Sequence, residues 1–340
     1  MKALVKVRPG RDGMAFMDMP EPSAARGQIK IKVQAGGICG TDIHIMKDEF
    51  ACNYPVIMGH EYAGVVAEVG ADVDGFQVGD RVISMTRTVH CGQCRYCHDG
   101  SIMLCPYSKS IGYGVNGAFA EYVAVPAKLA FKIPDQLSLE EAAVCEPLAC
   151  AVHGLLERGR VAAGDHVLVL GPGIIGMLAA EVALVAGAAV TVAGTRADMD
   201  RLAFAAGLGC HIIMADEESA KERCADITEG QGFDVVVECA GAASSAAFCL
   251  QSVCKGGLYV QMGLFAKQIE FDFNLAVVKE ITIVFDYGHK WSSWSRAVQL
   301  LRNGQIDLKP YIGGKYALHD WRQAFDQVLA RRGFKVLLLP

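Results

Sequence analysis

The hydrophobic and polar positions divide the chain into two kinds of sequence. Up to about residue 150, short apolar runs such as 29–33 (IKIKV) and 62–66 (YAGVV) are separated by turns rich in glycine, proline and aspartate. Alternation with a period of two is typical of strands that bury one face. We therefore predict that the first 150 residues form an irregular, strand-rich domain.

After about residue 150 the pattern changes to strands that alternate with helices. Residues 166–170 (HVLVL) predict a strand, residues 177–186 a helix that ends at Gly187, and residues 188–193 the next strand. Further strands are predicted at 233–238, 257–262 and 281–284. This alternation predicts an α/β fold with a Rossmann-type, doubly wound parallel sheet.

The pattern fades after residue 284, and we expect the chain to return to its first domain. The predicted catalytic domain therefore comprises residues 1–150 and 286–340, and the predicted dinucleotide-binding domain comprises residues 151–285. Residues 167–195 contain a single charge, Glu181, but the glycines and the proline in their first part favour a buried strand, turn and helix over a membrane span.

The amino-acid composition and the net charge exclude some classes of partner. The chain has 340 residues, 52% of them hydrophobic, and a formal net charge of -5 with scattered basic residues. A large core is thus available, and neither nucleic acid nor an anionic membrane is an expected partner. Because charges interrupt the N-terminal apolar run, no secretory leader is predicted, and we expect a cytoplasmic protein.

Four of the thirteen cysteines form the sharpest motif, Cys91-x2-Cys94-x2-Cys97-x7-Cys105, in a glycine-containing loop. Four thiolates fill the tetrahedral shell of zinc and leave no open position, so the motif predicts a structural zinc. The alternatives are four unrelated surface cysteines, or a nucleic-acid-binding zinc ribbon, which would be unusual in an acidic chain without a basic patch.

A second candidate metal site is spread along the chain: Cys39, His60 and Glu146. A thiolate, an imidazole and a carboxylate leave one position open for water or substrate, which is the arrangement of a catalytic zinc. Taken singly, Cys39 could be an ordinary core cysteine, His60 a hydrogen-bonded buried histidine, and Glu146 a charge at the start of a helix. Their spacing along the chain does not show that the three lie together.

The turn Gly171-Pro172-Gly173-Ile174-Ile175-Gly176 follows a predicted strand and opens a predicted helix, as a dinucleotide-binding turn does. Its glycines allow the backbone to approach a pyrophosphate, and the helix N-terminus supplies amide donors.

About twenty residues later, where an NAD site places an acidic residue against the ribose, the chain reads Gly194-Thr195-Arg196, with Arg201 five residues further on. The absent acid and the guanidinium favour the 2′-phosphate of NADP(H). The alternative is a solvated Arg196, with Asp198 or Asp200 binding the ribose of NAD(H).

The four-cysteine motif, the Cys39, His60 and Glu146 set and the later Gly-rich turn together resemble the zinc-containing medium-chain dehydrogenases over essentially the whole chain. Glu61, next to His60, and the string 145–149 (CEPLA) are similar to the sorbitol or polyol dehydrogenase branch. The resemblance implies a GroES-like first domain. It also implies a catalytic zinc held by Cys39 and His60, with Glu61 and Glu146 as exchanging or water-bridged ligands.

The same resemblance assigns roles to several other residues. Thr41 and His44 match the hydroxyl and the histidine that relay the substrate's proton to solvent; an exposed histidine without a role is the alternative for His44. The string 284–287 (VFDY) resembles a polyol dehydrogenase segment that reaches into the active site, but that segment carries arginine in place of Asp286. Residues expected near the nicotinamide are Met262, Gly263, Leu264 and Phe285.

The resulting hypothesis is a zinc-dependent oxidoreductase with two zinc ions per chain, one catalytic and one structural. It would transfer a hydride between a secondary alcohol of a polyol or sugar-like substrate, or the matching ketose, and NADP(H). The alternatives are a threonine 3-dehydrogenase-like or simple secondary-alcohol dehydrogenase, and a non-catalytic binding or structural protein on the same fold. Family members are dimers or tetramers, so a homo-oligomer is expected, with a homotetramer as one form.

Overall fold

A computed structural model describes residues 1–340, apart from the side chain of Arg11. The chain forms two compact units, one of Met1–Glu146 with Lys290–Pro340 and one of Pro147–His289. The borders drawn from the sequence, at 150/151 and 285/286, lie a few residues inside the second unit.

The strands are β1 (Lys2–Lys6), β2 (Met14–Asp18), β3 (Gln28–Gly37), β4 (Val56–Ile57), β5 (Glu61–Val69), β6 (Arg81–Ser84), β7 (Tyr122–Pro126), β8 (Ala130–Lys132), β9 (His166–Leu170), β10 (Ala189–Gly194), β11 (His211–Met214), β12 (Phe233–Glu238), β13 (Val253–Gln261), β14 (Thr282–Phe285), β15 (Ile312–Ala317) and β16 (Lys335–Leu339).

The α-helices are α1 (Gly40–Met46), α2 (Arg95–His98), α3 (Leu139–Ala142), α4 (Cys145–Val152), α5 (Ile174–Val185), α6 (Met199–Gly207), α7 (Ala220–Ile227), α8 (Ala243–Ser252), α9 (Phe273–Val278), α10 (Trp291–Arg302) and α11 (Trp321–Leu329). The segment His153–Arg158, directly after α4, is π-helical.

The first unit is strand-rich, with the long strand β3 at its centre. One sheet runs in the order β15-β16-β3-β5-β6-β8, with β7 also paired to β3, and a smaller sheet runs β2-β1-β4. The alternating side chains of β3 bury Ile29, Ile31 and Val33, because one face of the strand packs on the core and the other faces outward. Within this unit, residue Gly37 of β3 is the register partner of both Glu61 in β5 and Leu337 in β16.

The second unit is a six-stranded parallel sheet in the order β11-β10-β9-β12-β13-β14. The central strand β9 pairs with β10 on one side and β12 on the other, so the strand order reverses at its carboxyl end. Ligands of open α/β sheets bind at such a reversal, and the turn from β9 to α5 lies there. The predicted fold class, a Rossmann-type sheet with a strand-rich GroES-like domain, is confirmed.

Among the described residues, none of the helices has the length and hydrophobicity needed to cross a membrane. The apolar stretch 167–195 is a buried strand (β9), helix (α5) and strand (β10), as the sequence predicted.

Candidate metal centres and cofactor site

Three predicted zinc ligands come together in the first unit. Cys39 precedes α1, and His60 with Glu61 stands at the start of β5. One ligand atom from each of Cys39, His60 and Glu61 lies within 4.8 Å of the others. His60 and Glu61 are only 7% and 1% exposed, and the Nδ1 of His60 is buried without a hydrogen-bond partner. A thiolate, an imidazole and a carboxylate in this arrangement fit a tetrahedral zinc with one open position.

The electrostatics of His60 reflect this crowding of acidic groups. Burial acts to lower the pKa of His60, but the neighbouring Cys39, Asp42 and Glu146 together raise it well above its ordinary value. The site therefore attracts positive charge, and a zinc ion would supply that charge.

Glu146 lies in α4 and is 9% exposed, but it is outside the tight group of three. Its charge acts on the group, because it raises the pKa of both His60 and Glu61. Of the two glutamates that the resemblance offered as exchanging ligands, the structure therefore places Glu61 nearer to Cys39 and His60.

A buried lysine completes the environment of Glu61. Lys335 opens β16 and is 2% exposed, and its Nζ lies 2.8 Å from Oε1 and 2.6 Å from Oε2 of Glu61. The same Nζ donates to the carbonyl of Ile38 at 3.1 Å. Burial raises the pKa of Glu61, and the charge of Lys335 acts against this rise. Sequence reasoning missed Lys335; its one signal is a lysine at the head of the apolar run VLLL near the C-terminus.

The close approach of the three segments requires a glycine at position 37. A Cβ built on Gly37 would lie 2.5 Å from Glu61 Oε2 and 3.2 Å from Cδ of Lys335. Any side chain on β3 at this point would separate the lysine from the glutamate.

Asp42 is a second residue that the sequence did not single out. It is fully buried in α1, and its Oδ2 accepts a hydrogen bond from the backbone N–H of Cys39 at 2.9 Å. Burial raises the pKa of Asp42, while the charge of His60 lowers it. Asp42 therefore fixes the backbone of Cys39 and adds negative charge beside His60.

The two candidate relay residues lie on the same helix. The hydroxyl of half-buried Thr41 is 3.7 Å from the Sγ of Cys39. His44, one turn later in α1, has a side chain that is 51% exposed, and its Nδ1 lies 2.7 Å from Glu49 Oε2. Thr41 therefore contacts the metal group, whereas His44 faces solvent.

The four cysteines at 91–105 also cluster within the first unit. Their Sγ atoms lie within 4.8 Å of one another, with 3.6 Å between Cys94 and Cys97 and 3.7 Å between Cys91 and Cys105. These separations exclude disulfides and leave room for one ion bonded to all four. The backbone N–H of Gln93 is the largest of several donors that lower the pKa of Cys91 to about 6, so the loop favours a thiolate there.

The Gly-rich turn of the second unit has the shape of a dinucleotide-binding turn. Gly171 has φ +100°, and a Cβ there would lie 2.7 Å from the backbone nitrogen of Ala240. A Cβ on Gly176 would collide with the carbonyl oxygen of Gly171. Around Gly173, the residue before α5, a Cβ would meet nothing within 4 Å, so this space is open to a phosphate. Ile174 and Ile175 form the first turn of α5.

The end of β10 carries the residues from which the sequence predicts a preference for NADP(H). The Thr195 hydroxyl donates to Asp198 Oδ2 at 2.8 Å, and the Arg196 N–H donates to Asp216 Oδ2 at 3.1 Å. The guanidinium of Arg196 is 75% exposed and lies 3.7 Å from Glu217. Arg201 lies in α6. Asp216, which the sequence did not single out, thus holds the Arg196 backbone.

The buried Glu238 holds the segment after β13 in place through hydrogen bonds. This side chain is fully buried and accepts hydrogen bonds from the N–H groups of Ala240 and Gly241 and from Gln261 Nε2. The N–H groups of Met262 and Gly263 bond to its carbonyl oxygen. Leu264 and Phe285, at the carboxyl ends of β13 and β14, are 70% and 69% exposed, so their side chains are available to a cofactor.

Comparison with known proteins agrees with this geometry. Residues 25–135 match the alcohol dehydrogenase GroES-like domain, and residues 175–303 match the zinc-binding dehydrogenase domain. The chain is 38% identical to a sorbitol dehydrogenase of Halalkalibacterium halodurans, over 100% of its own length and 99% of the relative's. The chain belongs to the zinc-binding medium-chain dehydrogenases. It is polyol dehydrogenase-like, and an alcohol or polyol oxidoreductase.

Other relatives of this medium-chain dehydrogenase differ in their names. It is 39% identical to a D-arabitol-phosphate dehydrogenase of Enterococcus avium, over 99% of the chain and 97% of the relative. It is 35% identical to an L-threonine 3-dehydrogenase of Pseudoalteromonas translucida, over 99% of each. A zinc-binding dehydrogenase of Sinorhizobium meliloti 1021, solved with NADP bound, superposes with a TM-score of 0.87 at 31% identity, over 100% of this chain and 99% of that one.

Asp286, the position at which the sequence predicts a departure from the polyol branch, lies directly after β14. The Asp286 carboxylate is buried, and its Oδ1 lies 3.6 Å from His153 Nε2 in the π-helical segment. The other ring nitrogen of His153 lies 2.8 Å from Glu157 Oε2. Burial raises the pKa of Asp286 to about 7, although the charges of His153 and Arg158 act to lower it. Within the second unit, the aspartate therefore pairs with a histidine.

Proposed function

We propose that the protein transfers a hydride between a secondary alcohol of a polyol or sugar-like substrate, or the matching ketose, and NADP(H). The observation that carries this proposal is the close group of half-buried Cys39 with buried His60 and Glu61 in a polyol dehydrogenase-like chain. A non-catalytic binding protein would have no need of an open zinc site, a relay pair and a dinucleotide turn together.

The chain offers ligands for two zinc ions. Cys39, His60 and Glu61, with Glu146 beside them, would hold the catalytic ion, and the four cysteines at 91–105 the structural one. When bound in the open site, zinc supplies a Lewis acid that lowers the pKa of an alcohol toward neutrality.

The residues of α1 suit the removal of the alcohol's proton. Thr41 lies beside Cys39, and its hydroxyl both accepts and donates a proton. His44 lies one turn away, faces solvent and is oriented by Glu49. The proton would pass from the Thr41 hydroxyl to the imidazole of His44 and then to water.

The preference for NADP(H) is supported by the end of β10. Gly194, Thr195 and Arg196 put no acid where it would bind a ribose hydroxyl, and the guanidinium is exposed. The pair between Arg196 and Glu217 is a surface contact of little energy, so the guanidinium can turn to a phosphate at small cost. Asp198 and Asp216 accept bonds from Thr195 and the Arg196 N–H, which reduces their repulsion of a phosphate.

Threonine 3-dehydrogenase activity is the second candidate, because a relative of that name is 35% identical over almost the full chain. A 2-amino-3-hydroxy acid also carries a secondary alcohol beside a charged group, so the same metal site would accept it.

We also propose a homo-oligomer, a dimer or a tetramer. Three apolar side chains of α9, Phe273, Val277 and Val278, are between 68% and 72% exposed. Adjoining exposed apolar side chains of this kind are typical of a surface that pairs with another chain. Light scattering of the zinc-loaded protein gives the assembly state. Location in the cytoplasm stays a prediction.

The test of the reaction is a spectrophotometric panel with zinc-loaded protein. Polyols, ketoses and threonine are each assayed with NADP(H) and NAD(H) in parallel. Turnover of a polyol or ketose with NADP(H) supports the proposal, and turnover of threonine alone supports the second candidate. Silence across the panel would contradict both.

The cofactor preference has its own test in Arg196→Asp. This change should weaken NADPH binding by about tenfold or more relative to NADH, because a charge-assisted contact to the 2′-phosphate becomes a repulsion. Lys255→Asp is the matched control, since Lys255 is exposed near the amino end of β13, opposite the cofactor edge. Equal losses for the two cofactors in Arg196→Asp would mean that the guanidinium does not contact the phosphate.

A further inference from the structure

A small pocket of the first unit is lined by basic and polar side chains that are not among the candidate zinc ligands. Its volume is about 280 Å³. Its polar lining comes from four short segments and includes Asn53, Arg87, Ser108, Lys109 and Ser110. None of the described residues that line it is acidic. A concave site with two cations and hydroxyl groups selects anions.

Arg87 is the residue of the pocket that should attract an anion most strongly. It follows β6 and is 8% exposed, and its guanidinium carbon lies 5.8 Å from the centre of the Tyr113 ring. A cation held away from bulk water attracts an anion more strongly than a surface cation does, because solvent screens it less. The planar guanidinium also matches the paired oxygens of a phosphate. Lys109 is exposed and adds a second, mobile charge.

The pocket wall is built from hydrogen-bonded loops. The hydroxyl of buried Ser110 donates to the carbonyl of Thr86 at 3.2 Å, next to Arg87 in sequence. Asn53 Nδ2 donates to the carbonyl of Gly114 at 2.6 Å. The N–H of Lys109 bonds to the carbonyl of Val89 at 2.9 Å. Because these hydrogen bonds fix the loops of the wall, the pocket keeps its shape before any ligand arrives.

One aromatic ring joins this pocket to the metal group. Tyr113 lines the pocket, and its ring centre lies 6.2 Å from that of His60, at 86° to it. Tyr113 therefore contacts both Arg87 of the pocket and His60, a candidate zinc ligand. These two ring contacts place the guanidinium carbon of Arg87 no more than about 12 Å from the centre of the His60 ring. A pentitol chain of about 6 Å, together with its ester linkage and the contacts made at its two ends, spans such a distance.

We propose that this pocket, referred to here as the Arg87 pocket, binds the phosphate of a phosphorylated polyol or of the matching ketose phosphate. The inference rests on the proposed function and names its substrate class, a polyol phosphate in place of a free polyol. The phosphate ester takes no part in the redox step. The reacting carbon loses a hydride to the nicotinamide, its hydroxyl loses a proton, and the ester leaves intact on the product.

The kinetic test compares each pentitol and hexitol with its terminal phosphate ester. For the zinc-loaded enzyme, kcat/KM should be at least about a hundredfold higher for the ester, as expected for two charge-assisted contacts. Lys109→Met should lower this ratio by about tenfold, and because Lys109 is exposed this variant should fold. Arg87→Gln should lower it further. Lys32→Met, at an exposed lysine of β3 outside the pocket, is the matched control and should leave the ratio unchanged.

Calorimetric titration with a pentitol phosphate and with inorganic phosphate separates the two proposals. If free polyols turn over and the ester shows no advantage, the Arg87 pocket is wrong and the proposed reaction stands. If nothing turns over but the ester binds, more weakly to Lys109→Met, the pocket stands and the reaction is wrong. Inorganic phosphate that binds while the ester does not would identify an adventitious anion site and overturn the substrate class.

Discussion

The two candidate zinc sites of this dehydrogenase differ in how the chain builds them. The four-cysteine site takes all its ligands from residues 91–105, a loop with one short α-helix, and three of its cysteines are half-buried while Cys105 is buried. The site of Cys39, His60 and Glu61 takes its ligands from the ends of two strands, and His60 and Glu61 are buried while Cys39 is half-buried. It depends on Lys335, which lies 274 residues from Glu61 in sequence.

This difference shows what each site requires of the fold. Four thiolates close their own coordination shell, so the loop can hold zinc with little help from the rest of the unit. The buried site brings several acidic groups together, and each buried charge needs a counter-charge. The lysine of β16 and the incoming metal supply it. The zinc of the local site is therefore expected to stabilise its own loop. At the dispersed site, the zinc is expected to serve the chemistry and Lys335 the stability of the unit.

Cys39→Ser should have the largest effect on activity. Loss of the thiolate weakens the catalytic zinc, so turnover should fall on the order of 10³-fold or more, while the melting temperature changes little. Steady-state rates and metal content by mass spectrometry measure this. Cys254→Ser, at a half-buried cysteine of the second unit, is the control. Full activity in Cys39→Ser would contradict the assignment of the open site.

Lys335→Met should have the largest effect on stability. It leaves the carboxylate of Glu61 buried without its lysine, which costs about 3 to 5 kcal/mol in the free energy of unfolding. Urea denaturation measures the loss. Adding Glu61→Gln should recover a large part of it, because the side chain at position 61 then carries no charge that needs the lysine. If Lys335→Met were as stable as the parent, the ion pair would not hold β5, β3 and β16 together.

Asp286→Asn tests the same logic on a buried carboxylate that faces His153, Glu157 and Arg158 rather than a lysine. Burial raises its folded pKa from 3.8 to about 7, so the folded state holds a proton that the unfolded state releases between these values. The parent should therefore lose stability as the pH rises from 4 to 7, by about 3 kcal/mol. Denaturation curves across this range should show a smaller loss for the variant. Parallel curves would mean that Asp286 is ionised throughout.

Cys97→Ser should have the smallest effect on the whole chain. One zinc per chain should be lost, and the free energy of unfolding should fall by about 1 to 3 kcal/mol, because only the loop of 91–105 depends on that ion. Limited proteolysis should show cleavage in this loop before cleavage elsewhere. A variant that retains both zinc ions would mean that Cys97 is not a required ligand. One that loses activity as completely as Cys39→Ser would mean that the two sites are exchanged.

Much of the architecture was predictable because it depends on local pattern. The alternation of strands and helices after residue 150 predicted the parallel sheet, and the Gly-rich turn was placed correctly between β9 and α5. The spacing of the four cysteines at 91–105 was enough to predict their cluster. Cys39, His60 and Glu61 were joined only through resemblance to a family, since the twenty residues between Cys39 and His60 carry no information in their sequence on the distance between the two.

The sequence by itself determined the elements, the fold class and the local zinc motif, because hydrophobic period, turn residues and ligand spacing all act within a few residues. Only the tertiary structure decided which charges face one another. Lys335 reaches Glu61 because β16 and β5 both pair with β3 at Gly37, Asp42 is buried under Cys39, and Arg87 stands beside Tyr113 in an anion pocket. Pairings between distant segments depend on strand register and packing, and these follow from the whole chain rather than from any one stretch of it.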